Sequence, residues 1–99
     1  MVIDVTGVLK QMNGSPMMDV DEKGARTEAS IRQAIVNAIL SPVQNEKGVD
    51  KVVKYELAKR IFTSDEVDLN ETEIKLIKDR VGELYAPIIV GQVYELLKV

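Results

Sequence analysis

Residues 69–74, Leu-Asn-Glu-Thr-Glu-Ile (LNETEI), contain the clearest helix start in the chain. Asn70 fits the N-cap position and Glu73 the third helical position, which is an Asn variant of the capping box. Leu69 and Ile74 flank this pair as a hydrophobic staple does. The stretch therefore predicts a helix that begins after Asn70 and packs one apolar face on a core. That face consists of Ile74, Ile77, Val81 and Leu84.

A fourth helix is predicted downstream, over residues 87–97. Pro87 should break the chain after Tyr85, and it is also suited to the first position of a new helix. This segment is apolar on most sides, and such a helix is normally buried. We therefore expect it either at the centre of the domain or in a surface shared with a second copy.

Two further helices are predicted upstream. The first extends from an N-cap at Thr27 to about Leu40, where Pro42 disfavours a continuation. The second extends from an N-cap at Asp50 to about Phe62. The apolar face expected for this second helix comprises Val52, Val53, Leu57, Ala58, Ile61 and Phe62. Lys51, Lys54, Lys59 and Arg60 are expected on its exposed side, with Glu56 and Arg60 as an i, i+4 ion pair.

The N-terminal part is predicted to be a β-hairpin. Residues 2–20 are extended in pattern, and Asn13-Gly14 is a strong signal for a type I′ turn. Residues 19–26 are polar and are predicted as a loop. A lone hairpin is marginal in water, so this one should pack on the helices.

These elements predict one domain over residues 1–99, which is an ordinary length for one. The expected fold is mostly α, of the α+β class. Residues 1–26 would form the hairpin and loop, and residues 27–99 a compact bundle of three to four helices.

The composition excludes several functional classes. The chain has no histidine and no cysteine, so the commonest general base, thiolate chemistry and disulfides are absent. No phosphate-binding glycine motif occurs. We therefore expect no enzyme and no cofactor. The apolar runs are too short to span a membrane, and no signal peptide is visible, so the expected location is the cytoplasm.

Two acidic stretches raise the question of a metal site. In residues 19–24 (DVDEKG), Asp19, Asp21 and Gly24 match a calcium loop, but Lys23 occupies a ligand position. The twelfth position is Ser30, which cannot bind bidentately. The second stretch, residues 65–73, has five acidic residues, two of which lie in a helix first turn that favours negative charge. We predict no metal ion, and divalent-ion binding remains as an alternative.

The charge pattern predicts a protein-binding face. Residues 51–60 carry four basic residues and one acidic residue, whereas residues 65–73 carry five acidic residues and no basic one. Adjacent blocks of opposite sign can attract each other within the chain, or can steer a protein partner. The candidate face comprises Lys51, Lys54, Tyr55, Arg60, Asp65, Glu66 and Asp68, and Tyr85, Tyr94, Met17 and Met18 are further candidates for an interface.

A nucleic-acid-associated regulator is the alternative function. It would use the basic face of residues 51–60, namely Lys51, Lys54, Lys59 and Arg60. The net charge of −3 and the neighbouring acidic block argue against this alternative, because nucleic acid binding needs a basic footprint.

Residues 55–97 resemble small proteins encoded by tailed bacteriophages and prophages. The matching elements are ELA, then DEVDL followed by the capped helix, and above all YAPIIVGQVYELL at residues 85–97. The resemblance implies a phage or prophage accessory protein in a bacterial cytoplasm, and it implies no catalytic or ligand residues. The function predicted is a non-enzymatic protein-interaction module that binds a host or phage protein. The apolar last helix also suggests a homodimer.

Overall fold

The computed structural model describes residues 1–20 and 22–97, and over these residues the fold is α+β with four helices. Two small antiparallel sheets, each of two strands, accompany the helices. The predicted fold class, an N-terminal β-hairpin on a helical bundle, is confirmed. The elements are β1 (Val2–Asp4), β2 (Met18–Val20), β3 (Arg26–Glu28), α1 (Ile31–Leu40), α2 (Gly48–Thr63), β4 (Glu66–Asp68), α3 (Glu71–Leu84) and α4 (Pro87–Leu96).

The predicted turn at Asn13-Gly14 is present, but its type differs from the prediction. Gly14 has a φ of 87°, whereas Asn13 does not have a positive φ. The backbone N–H of Gln11 donates to the carbonyl of Ser15 at 2.8 Å, which leaves a three-residue loop. Such a loop needs a left-handed residue at one position only, and glycine supplies it. The side chain of Asn13 instead accepts a hydrogen bond from the backbone N–H of Ser15.

Residues 19–26, predicted as a loop, belong mostly to a second hairpin. β2 pairs antiparallel with β3, so that Asp19 lies opposite Thr27, and Gly24 has a φ of 81° in the connecting turn. Thr27 therefore lies in a strand, and its prediction as the N-cap of α1 was wrong. Ser30 is the N-cap, and its hydroxyl accepts from the backbone N–H of Gln33 at 3.0 Å.

Backbone hydrogen bonds join the two hairpins to the start of α1. The N–H of Leu9 donates to Ala29, that of Met17 to Leu9 and that of Ala29 to Met17, all within 2.8 Å. Leu9 is buried. The backbone N–H of Ile31 in α1 donates to the carbonyl of Gly7 at 3.1 Å, and the side chain of Gln92 in α4 donates to that of Lys10 at 2.8 Å. The hairpins therefore pack on the helices, as expected for strands too small to be stable alone.

β4 was not predicted from the sequence. It pairs antiparallel with β1, and Ile3 lies opposite Val67. Both side chains are buried, whereas the neighbouring Asp4 and Glu66 are exposed. The alternation of acidic and apolar residues in DEVDL is the period of a half-buried strand. Two of the five acidic residues, Glu66 and Asp68, therefore lie on the solvent side of a two-stranded sheet.

α2 begins at Gly48, two residues before the predicted N-cap Asp50. Lys47 occupies the N-cap position and makes no side-chain capping bond. Asp50 lies in the first turn instead, where the helix dipole still favours its negative charge.

The starts of α3 and α4 are confirmed. Asn70 Oδ1 accepts from the backbone N–H of Glu73 at 2.8 Å, and Glu73 Oε1 accepts from that of Asn70 at 3.0 Å. Leu69 is buried and Ile74 packs against the core, as a hydrophobic staple requires. Pro87 is the first residue of α4.

α1, and not α4, is the central helix. α1 packs against both α2 and α3, and five of its ten residues are buried. Within α4, Val93 is buried, whereas Ile88, Ile89 and Val90 are half-buried. The predicted central position of the last helix was therefore wrong, because the apolar residues of α4 lie at the side of the bundle.

Candidate protein-binding surface

α2 leaves much of its predicted apolar face in solvent. Leu57, Ala58 and Ile61 are buried against the core. Val52, Val53 and Phe62 were assigned to the same face, but they are 59%, 57% and 57% exposed. The prediction was wrong for these three residues. Successive residues of a helix lie 100° apart around its axis. The six residues predicted for this face therefore cover too wide an arc to contact one neighbouring helix together.

Phe62 and two other large apolar side chains border a groove between α1 and α2. Leu40 comes from α1, and Tyr55 and Phe62 come from the adjoining side of α2; they are 52%, 55% and 57% exposed. The groove has a volume of about 360 Å³, and the buried Val36 and Ala58 form its floor. We call it the α1–α2 groove. It places the single phenylalanine of the chain in a concave, solvent-accessible position.

Lys59 lines the groove on the α2 side, and Lys51 lines an adjoining cleft that shares Leu40 with the groove. Lys51, Tyr55 and Lys59 follow one another at intervals of four residues, and this spacing places them along one side of the helix. The opposite wall is neutral, because Gln33 and Asn37 of α1 lie there and hydrogen-bond to each other at 2.8 Å. In the described part of the chain, no carboxylate lines the groove.

Two of the predicted basic site residues are bound within the chain. Lys54 forms an ion pair with Glu46, and both side chains are nearly buried. Arg60 Nη1 lies 2.6 Å from Glu73 Oε2, and its Nη2 donates to the carbonyl of Asp68 at 2.6 Å. Arg60 therefore binds an acidic residue of α3, and not Glu56 of its own helix as predicted.

The predicted acidic site residues lie around β4. Asp65 Oδ1 accepts from Arg32 Nη2 at 2.6 Å, and Asp68 Oδ1 lies 3.1 Å from the nitrogen of Met1. Glu66 is exposed and lies opposite Asp4 on β1. These carboxylates therefore form part of the β1–β4 sheet surface and its margins.

The seven predicted face residues do not form one continuous surface. Lys51 and Arg60 are nine positions apart on α2, which corresponds to half a turn around the helix. Tyr55 lines the α1–α2 groove and Lys51 the adjoining cleft, whereas Arg60 lies with Glu73 and Asp68 near the start of α3. Attraction between the opposite charge blocks is thus partly satisfied within the chain.

Residues 19–24 and 65–73 are the two acidic stretches that were considered for metal binding. Asp19 Oδ1 accepts a hydrogen bond from the backbone N–H of Val20, and Asp21 lies outside the described residues. Among residues 1–20 and 22–97, no three Asp or Glu side chains come together in a way that could hold a metal ion.

The other interface candidates are mostly engaged in the fold. Tyr85 donates a hydrogen bond to the carbonyl of Ala34 at 3.0 Å, and Tyr94 donates to that of Lys78 at 2.9 Å. Burial raises the pKa of the Tyr85 hydroxyl above its ordinary value, although Asn37 acts in the opposite direction. Of the two methionines, Met17 is half-buried and Met18 is exposed.

Comparison of the chain with protein-family models, curated proteins and solved structures gives no match. Within the part of the chain that the structure describes, no helix is long and apolar enough to cross a membrane. The groove itself is therefore the basis for a functional assignment.

Tyr55 is the one predicted face residue that lines the groove, and the groove itself was not predicted from the sequence. Phe62 was assigned to the apolar face of the second helix, and Leu40 was identified only as the approximate end of the first. The apolar residues of α2 cover a wider arc of the helix than one packing face can bury, and this spread could have revealed the groove. That spread indicates an exposed apolar surface, but the sequence alone does not show which residues form it.

Proposed function

We propose that this chain is a non-enzymatic protein-binding module that uses the α1–α2 groove as its contact surface. The observation that carries this proposal is the joint exposure of Leu40, Tyr55 and Phe62 around one concave site. Exposed apolar patches of this kind mark interaction sites, and aromatic anchors in pockets dominate binding energy. The fold buries the aliphatic core well, so these side chains are not needed to complete it.

The proposed setting is a tailed bacteriophage or prophage, and the partner is a host or phage protein in the bacterial cytoplasm. This setting depends on the resemblance of residues 55–97 alone. The non-enzymatic character is supported by the absence of histidine and cysteine from the sequence and by the mainly apolar groove lining.

Nucleic acid binding has less support as the alternative. Of the four cations proposed for it, Lys54 is paired with Glu46 and Arg60 with Glu73. Lys51 and Lys59 remain, and of these Lys59 lines an apolar groove. Two cations provide a small counterion-release term compared with the six to ten phosphate contacts of typical DNA-binding proteins.

A pull-down with matched surface variants tests the proposal. The tagged chain is expressed in bacteria with and without phage infection, and co-purified proteins are identified by mass spectrometry. Phe62→Lys places a charge in the groove. Val53→Lys is the control, because Val53 is also 57% exposed and lies half a turn away on the same helix.

We expect a stoichiometric partner that wild type and Val53→Lys retain and Phe62→Lys loses. The purified partner should bind Phe62→Lys at least about tenfold more weakly, since a buried aromatic anchor contributes at least this much. Equal binding to wild type and Phe62→Lys would remove the groove from the proposal. Retention on DNA at low salt, lost at high salt, would favour the alternative.

A further inference from the structure

The charges around the α1–α2 groove differ from those of the chain as a whole. The chain has a net charge of −3, yet Lys59 lines the groove and Lys51 lines the adjoining cleft at Leu40, and neither lysine has an anionic partner among the described residues. Glu46, the carboxylate of that cleft, is paired with Lys54. With a rise of about 1.5 Å per residue, the backbone positions of Lys51 and Lys59 are about 12 Å apart along α2. The groove is therefore apolar along its floor and positive along one rim.

The shape of the groove favours a helical occupant. Its walls are two packed helices, and its floor is formed by small or branched side chains, Val36 and Ala58. Between two such helices, no strand edge is available for an extended peptide. A helix that lies in a groove of this kind presents apolar residues at i, i+3 or i+4, and i+7, and about three turns would cover α1.

We infer that the α1–α2 groove binds an acidic amphipathic helix of a partner protein; this inference rests on the proposed function. The apolar stripe of that helix contacts Leu40, Tyr55 and Phe62. Acidic residues two turns apart, at the margin of the stripe, face Lys51 and Lys59. Complementary charges at the rim set the orientation of the helix and increase the rate of association.

A peptide selection tests this inference without knowledge of the partner. The probe is a display library of amphipathic helical peptides about 20 residues long, with a fixed leucine stripe and randomised flanking positions. Selection is carried out at low ionic strength against the wild-type chain. It is then repeated against the double variant Lys51→Glu/Lys59→Glu. The control is Lys47→Glu/Lys75→Glu, which changes the net charge equally at two exposed lysines that line neither the groove nor the adjoining cleft.

The expected result is an enrichment of Asp and Glu beside the leucine stripe in peptides selected on the wild type and on the control. The best of these peptides should bind Lys51→Glu/Lys59→Glu about tenfold more weakly, since two rim charge pairs change sign. The difference should decrease as salt is added. Amide chemical shifts of the wild-type chain should change along residues 33–40 and 51–62.

Three other results would overturn the inference, and they differ in what they mean for the proposed function. Selected peptides without acidic bias that lose binding on Phe62→Lys would leave a protein-binding groove with no charge preference. Peptides that bind wild type and Phe62→Lys equally would remove the groove altogether. Self-association that Phe62→Lys abolishes, measured by light scattering, would identify a second copy as the occupant.

Discussion

The carboxylate of Glu73 binds the guanidinium of Arg60 across the connection between α2 and α3, with Arg60 Nη1 and Glu73 Oε2 2.6 Å apart. The other oxygen of Glu73 accepts the backbone N–H of Asn70 and completes the capping box. One side chain therefore both starts α3 and joins the basic block of the sequence to the acidic one.

Two substitutions at Glu73 separate these roles. Glu73→Gln keeps an oxygen for the Asn70 N–H and loses the charge that binds Arg60. We expect it to lower the free energy of unfolding by less than about 1 kcal/mol, because the ion pair is partly exposed. Glu73→Ala also removes the acceptor of the Asn70 backbone N–H, which is the reciprocal bond of the capping box, and should cost about 1 kcal/mol more than Glu73→Gln. Urea unfolding measures both, and equal losses for the two variants would refute this division.

The pair formed by Lys54 and Glu46 gives a second prediction. Their side chains are 12% and 10% exposed, so removal of one partner leaves a charge in a nearly buried site. Lys54→Met should lower the free energy of unfolding by about 2–3 kcal/mol, and Lys54→Met/Glu46→Leu should recover much of this loss.

Lys51→Met is the matched control for that pair. It is the same substitution three residues earlier on α2, at an exposed lysine, and it should change stability by about 0.5 kcal/mol or less. Thermal and urea unfolding measure all four proteins. If Lys54→Met behaved like Lys51→Met, the ion pair would not stabilise the fold.

Gly82 and Tyr94 are coupled across α3 and α4. A Cβ atom at residue 82 would lie 2.9 Å from the hydroxyl oxygen of Tyr94, which donates to the carbonyl of Lys78. In a helix, Gly→Ala normally stabilises by about 1 kcal/mol. We expect Gly82→Ala to give clearly less than this in the wild type, because the Tyr94 hydroxyl must move, and the full gain in a Tyr94→Phe background. A double-mutant cycle from urea unfolding measures the coupling, and additive effects would contradict it.

Asp4 makes the stability of the chain pH-dependent in the acid range. The hydroxyl of Thr6, its backbone N–H and the charge of Arg32 lower the pKa of the Asp4 carboxyl below its ordinary value of 3.8. Because the folded chain favours the ionised form, this contribution is present above the ordinary pKa. It is lost as the pH falls through the lowered pKa of the folded state.

Thr6→Val removes the hydroxyl and keeps the backbone donor. We expect the pKa of Asp4 to rise toward 3.8 and the loss of stability in acid to become shallower. An NMR titration of the Asp4 side chain gives the pKa directly. An unchanged pKa would show that the hydroxyl is not its main determinant.

The helix starts show how far local sequence determines this fold. The capping box of α3 and Pro87 of α4 were predicted correctly, because each depends on interactions within a few residues. α1 was predicted to start too early, since Thr27 is a good N-cap by type. In the structure Thr27 pairs with Asp19, and this pairing places Thr27 in β3 and not at the N-cap.

The candidate site was predicted less completely than the fold. Lys51 and Tyr55 were identified from charge and residue type; Tyr55 borders the groove, and Lys51 lines the adjoining cleft. Phe62 was assigned to the core, because a hydrophobic residue on a helix is usually buried. Its exposure depends on which side of α2 contacts α1, and helical periodicity does not specify this when apolar residues surround the helix.

The sequence by itself determined the fold class, the N-terminal hairpin and the starts of α3 and α4, because turn glycines, prolines and caps act over a few residues. Only the tertiary structure decided that β1 pairs with β4, that α1 is central and that α2 leaves Tyr55 and Phe62 exposed. These features depend on contacts between residues far apart in the chain. Several apolar faces could pack against one another, and the arrangement that packs most completely is the one that forms. A short stretch of sequence does not show which arrangement this is.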